Sequence, residues 1–171
     1  MESGKFILSM LVKNEAGVLT RISGLFARRG FNIDSLSVGE TQDHLTSRIT
    51  ILATGDAYIR EQIVRQLEKL YDVKVVELMD VDKTVARELL LVKVTASKDT
   101  RSQVLEAVTV FRAKVIDLTP ETMTMELTGE KVKLDAFIAF LSPLGIIELC
   151  RTGVTAIGRG GYVLTSNNEE E

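Results

Sequence analysis

Asn14, Gly17 and Asn32 are the residues whose types and spacing offer chemistry, and that chemistry is recognition rather than bond making. The run Asn14-Glu15-Ala16-Gly17-Val18-Leu19 lies between a strand-like and a helix-like stretch, and Asn32-Ile33 follows thirteen residues after Leu19. Glycine at 17 lets the backbone approach a bound molecule, and a helix starting there presents unpaired N–H groups of Gly17, Val18 and Leu19 to a carboxylate. The carboxamides of Asn14 and Asn32 supply oxygens for an ammonium group, while Leu19 and Ile33 can line an apolar slot. An α-amino acid with an aliphatic side chain meets all three features. A plain strand-to-helix turn, with Asn14 bonding its own backbone and Gly17 easing the corner, uses the same residues.

Other chemistry is harder to place. The run Gly158-Arg159-Gly160-Gly161 is followed by no Gly-Lys-Ser/Thr and no helical stripe, so it does not read as a phosphate loop. His44, the single histidine, falls in a hairpin turn with no nucleophile or carboxylate that the sequence places beside it. Cys150, the single cysteine, ends the apolar run Ile146-Ile147-Glu148-Leu149-Cys150 and is expected to be a buried thiol, which excludes disulfides and cysteine-rich metal sites. No catalytic and no metal-binding residue is therefore assigned.

Composition bounds the partners. The chain has 171 residues, 45% hydrophobic and 26% charged, with a formal charge of -3 and a pI near 5.4. That acidity, with aromatics at only 5%, argues against a nucleic-acid platform, which needs a basic face and stacking rings. No stretch reaches the roughly 18 apolar residues of a membrane span, and Met1-Glu2-Ser3-Gly4-Lys5 is too polar for a signal peptide. The expected location is cytoplasmic.

Periodicity supplies the elements that must carry the Asn14 loop. Phe6, Leu8, Met10 and Val12 alternate as a strand, and Val18, Leu19, Ile22, Leu25 and Phe26 form a helical stripe ending at Arg28-Arg29-Gly30. Residues 31–41 and 45–54 read as a hairpin. Asp56 caps a second helix with the stripe Ile59, Ile63, Val64, Leu67 and Leu70, and residues 72–80 close the unit as a strand. The order then returns. Residues 88–96 read as a strand, a Thr100-x-x-Gln103 capping box opens a helix, 114–119 and 122–128 form a strand pair, Leu134, Phe137, Ile138 and Leu141 mark a helix, and 146–151 are the last strand. The fold class is α+β, two tandem ferredoxin-like βαββαβ units. The expected division is 1–80, a linker at 81–87, and 88–171, with an arm after Thr152 and a polar tail at the end.

The residues also carry a resemblance. Asn14-Glu15-x-Gly17-x-Leu19, a helix, and Arg29-Gly30-Phe31-Asn32-Ile33-Asp34-Ser35-Leu36 resemble the ACT domain of the small regulatory subunits of acetohydroxyacid synthase, also called acetolactate synthase. Leu91-Val92-Lys93-Val94, Phe111-Arg112-Ala113-Lys114-Val115-Ile116-Asp117, Lys133-Leu134-Asp135-Ala136-Phe137 and Arg151-Thr152-Gly153 are similar to that family's C-terminal domain. The resemblance implies a subunit with no catalytic activity and no cofactor of its own. Its implied partners are a catalytic large subunit carrying thiamine diphosphate, FAD and Mg²⁺, a second copy of itself, and a small amino-acid effector. Activation of the large subunit and feedback inhibition by valine bound at an ACT dimer interface are implied with them, with side-by-side pairing through exposed strand edges bringing the Asn14 loop of one protomer near the Asn32 region of the other. The implied effector residues are Asn14, Gly17, Val18, Leu19, Asn32 and Ile33. A free-standing amino-acid sensor serving another enzyme and a small ferredoxin-like hydrolase are the rival readings. Acylphosphatases share the plan and use an Arg and an Asn, but no spacing here ties those residue types to catalysis.

Overall fold

In the computed structural model residues 4–165 are described; the polar tail expected at 166–171 lies outside the described residues. The first unit runs β1 (Gly4–Lys13), α1 (Val18–Arg28), β2 (Ile33–Glu40), β3 (Thr46–Gly55), α2 (Ala57–Leu67) and β4 (Val73–Leu78). Its strands form an antiparallel sheet in the order β2-β3-β1-β4, as the ferredoxin-like plan requires. Alternation decides which face is covered. Phe6, Leu8 and Met10 lie opposite Ala53, Ile51 and Ile49, and all six are buried under Ile22, Leu25 and Phe26 of α1 and Ile63 and Leu67 of α2.

The two helices start differently. Asp56 adopts extended angles and its Oδ1 accepts the Ile59 N–H at 2.9 Å, the expected N-cap of α2. Asp56→Ala is expected to cost about 1 kcal/mol in a denaturant titration, and an unchanged midpoint would show that the cap contributes nothing. α1 starts from Gly17 at φ +86° with no side-chain cap and no acidic residue in its first turn.

The second unit runs β5 (Thr84–Thr95), α3 (Arg101–Phe111), β6 (Lys114–Leu118), β7 (Thr122–Gly129), α4 (Lys131–Leu141), a 3-10 turn at Ser142–Leu144, and β8 (Ile146–Arg151). Its antiparallel sheet has the order β6-β7-β5-β8. Leu90, Val92 and Val94 of β5 and Met123, Met125 and Leu127 of β7 pack beneath Val104, Leu134 and Phe137. Both units therefore have the predicted α+β architecture.

Four details depart from expectation. The polar stretch assigned to a linker is partly strand, because β5 already begins at Thr84, and the compact second unit spans Arg87–Gly153. The described segment 154–165 belongs to the first unit rather than the second. There β9 (Thr155–Gly158) pairs with β5, the Val154 N–H donates to Ser35 Oγ at 3.3 Å, and Ser37 Oγ donates to Val154 O at 2.9 Å. Tyr162 donates its hydroxyl to Glu77. This arm buries Val154, Ala156 and Leu164, and Ser9, Thr50 and Leu52, which alternate away from the helices, are buried as well.

Cys150 is exposed, not core. It lies opposite Leu91 on β5, whose neighbours Leu90 and Val92 point to the helices, so the thiol falls on the other face of an edge strand. Finally, Thr100 makes no capping box. It has taken up helical angles (φ -105°, ψ -17°), and its hydroxyl lies 3.2 Å from that of Ser97 instead of on the first turn of α3. Among the described residues no helix is long and apolar enough to cross a membrane.

Candidate functional site

Strand register decides how the predicted site residues can meet. At one end of the first sheet Lys13 faces Thr46, and the next residue, Asn14, donates its backbone N–H to Leu45 O at 2.9 Å. At the other end Ile33 faces Ala53, which faces Phe6. Seven residue pairs separate these ends, about 23 Å at strand rise, and α1 carries the chain from one to the other. Asn14 with Gly17 and Asn32 with Ile33 therefore sit at opposite ends of β2, and one protomer does not bring them together.

Each asparagine is held by a carboxylate that sequence reasoning did not single out. Asn14 Nδ2 donates to His44 O at 2.8 Å and to Glu40 Oε2 at 3.3 Å. Asn32 Nδ2 donates to Asp34 Oδ1 at 2.9 Å. In both cases the amide nitrogen is used within the protomer, and the carbonyl oxygen makes no hydrogen bond among the described residues. Asp34 is held below the usual carboxylate range by the Thr54 hydroxyl at 2.8 Å and by Lys5 at 3.3 Å, so it stays anionic beside Asn32. The signal that could have found these carboxylates is their position, one at each end of β2.

The neighbouring positions divide. Gly17 occupies the left-handed region and opens α1 without a side-chain cap, leaving first-turn N–H groups for an incoming acceptor. Leu19 is exposed. Ile33 packs partly on the core, and the Val18 side chain is buried in it, so Val18 offers its backbone N–H rather than its side chain to the loop. Arg21 pins α1 to the sheet end by a 2.6 Å ion pair with Asp72. His44 stays a turn residue whose carbonyl, not its ring, is used.

Comparison with known proteins decides the family. The family described as "AHAS small subunit-like ACT domain" matches residues 8–75, and that described as "Small subunit of acetolactate synthase" matches residues 87–160. The probable acetolactate synthase small subunit of Methanothermobacter thermautotrophicus is 46% identical over 165 residues, 96% of this chain and 98% of that protein. The chain belongs to the acetolactate synthase small-subunit family. The small subunit of Mycobacterium bovis is 49% identical over 154 residues, 90% of this chain and 91% of that protein. The crystal structure of the Thermotoga maritima small subunit superimposes with a TM-score of 0.86 at 38% identity, covering 93% of this chain and 99% of that one.

In this small-subunit chain the candidate site residues lie in the ACT domain, and Arg151 and Asp135 of the second domain have a structural use. Arg151 forks onto Glu88, Nε to Oε1 at 2.7 Å and Nη2 to Oε2 at 2.6 Å, and its Nη1 reaches Asp135 Oδ1 at 2.7 Å. Glu88 is buried. These bonds raise the Arg151 pKa, Glu88 contributing most, while Lys131 and then Arg151 hold Asp135 down. The cluster ties β5, β8 and α4 together.

Proposed function

We propose that this chain is the regulatory subunit of acetolactate synthase in branched-chain amino acid biosynthesis, and that it binds valine in a pocket completed by a second copy of itself. The observation that carries this reading is the placement of Asn14 and Asn32 at opposite ends of β2, each with its carbonyl oxygen unused. β2 is an edge strand with Val38 exposed. A two-fold axis through the middle of an antiparallel β2–β2 pairing carries the Ile33 end of one copy to the Glu40 end of the other. Asn32 of one protomer then meets Asn14 and Gly17 of its partner, twice over.

Each half supplies what an amino acid needs. The first turn of α1 faces the carboxylate, the two carboxamide oxygens with Asp34 and Glu40 face the ammonium, and Leu19 and Ile33 flank the aliphatic side chain. On this reading the subunit performs no chemistry. Thiamine diphosphate, FAD and Mg²⁺ belong to the catalytic subunit, which the small subunit activates and, with valine bound, inhibits. A coupling of about 1–3 kcal/mol suffices for a 5- to 150-fold change in that partner.

Calorimetric titration of the purified chain with L-valine tests the reading, with D-valine and L-lysine as controls. Saturable, stereospecific heat is expected, and it is expected to disappear on dilution below the dimer dissociation constant. Asn32→Ala should weaken binding about tenfold or more by removing an ammonium acceptor. Full affinity in a demonstrated monomer would overturn the shared pocket, and wild-type affinity in Asn32→Ala would remove that residue from it.

A further inference from the structure

On the face of the first sheet turned away from the helices lies a cavity of about 320 Å³ that the effector reading does not use. Leu11, Gln42, Asp43 and Thr165 line it, and Arg48 and Lys74 bring two cations to it. Arg48 donates from Nη1 to Ser9 Oγ at 3.0 Å and to Ala156 O at 3.5 Å, both neutral, and makes no ion pair among the described residues. Its ordinary proton affinity is lowered by burial. A guanidinium taken partly out of water without a counter-charge is costly, and the fork of N–H groups it keeps free matches an oxyanion in shape.

The carboxylate in the lining does not supply that charge. Asp43 Oδ1 accepts the Leu45 N–H at 3.0 Å, Oδ2 accepts the Thr46 hydroxyl at 2.6 Å, and Lys74 Nζ is 3.8 Å away. Asp43 is thus committed to the β2–β3 turn and leaves Arg48 uncompensated. Lys74 also donates to Thr46 Oγ1, which fixes its ammonium at the cavity wall.

We infer that this cavity binds a small molecule through a phosphate or carboxylate group, with Arg48 as the forked donor and Lys74 as the second cation. The volume exceeds that of a bare oxyanion, so the ligand carries an organic part over Leu11 and toward Gln42 and Thr165. The site lies on the sheet face opposite α1 and stands whether or not valine binds at Gly17.

The test is a nuclear magnetic resonance titration of the full chain with inorganic phosphate, and separately with citrate, against chloride at constant ionic strength. Amide signals of Asp43, Thr46, Arg48 and Lys74 are expected to move together to saturation while those of Gly17 and Asn32 stay. Arg48→Gln should weaken binding roughly ten- to a hundredfold, and Lys74→Met, whose substitution leaves the Ser9 contact intact, roughly tenfold. Shifts that never saturate, or both variants binding as tightly as wild type, would overturn the site. The chain's own Glu169, Glu170 and Glu171 are a second source of carboxylate. A triple E169Q/E170Q/E171Q variant that binds phosphate about tenfold more tightly than wild type would assign the cavity to those glutamates and overturn a separate ligand; equal affinity supports one.

Discussion

Gly17→Asp is expected to raise the dissociation constant for L-valine by about a hundredfold, roughly 2.7 kcal/mol, while leaving the thermal midpoint within a few degrees of wild type. The two halves of this result have separate causes. Gly17 holds φ +86°, where a side chain costs about 1–2 kcal/mol, but aspartate tolerates this region better than most residues. A Cβ there meets only the flexible end of Arg21, at 3.2 Å. A carboxylate at the start of α1 also favours the helix, whose first turn carries no acid and no cap of its own. Those same features are expected to abolish recognition at the proposed site, because the new carboxylate would occupy the N–H groups proposed to hold the effector and would repel the effector's own carboxylate. Calorimetry and thermal unfolding on one preparation separate the outcomes. Valine affinity within threefold of wild type would exclude the Gly17 loop from the site, and Gly17→Ala, which adds strain without charge, should fall between.

Arg151→Met is expected to cost about 3–5 kcal/mol of the second unit's stability, a large share of the 5–15 kcal/mol that a domain holds. Arg151 makes three short bonds to two carboxylates, and one of these, on Glu88, is 5% exposed. Methionine fills the space and removes the charge, leaving the Glu88 carboxylate unpaired in a site that water hardly reaches. Denaturant unfolding should show an early transition for the second unit while valine binding by the ACT domain persists. Replacing both partners, Glu88→Leu with Arg151→Met, should recover most of the loss, since no buried charge then remains. A double variant as unstable as the single one would mean that packing, rather than charge, sets the cost.

What could be read along the chain was what neighbours along the chain decide. Alternation in Phe6, Leu8, Met10 and Val12, the stripes of α1 and α2, and the Asp56 cap depend on residues a few positions apart, and together they determined two βαββαβ units. The same locality made the Asn14-to-Leu19 loop stand out. Local pattern misled where a position's environment comes from elsewhere. Cys150 sits in an apolar run yet is exposed, because only one face of its sheet carries helices. Thr100 had the spacing of a capping box but took up helical angles. Only the tertiary structure decided that residues 154–165 return to the first unit, since pairing with Ser35 and Ser37 more than a hundred positions away leaves no periodic trace. It alone also placed Asn14 and Asn32 at opposite ends of one edge strand. Strand register is set by cross-strand packing over the whole sheet, so no spacing along the chain could say that these two groups of candidate site residues lie apart within one protomer.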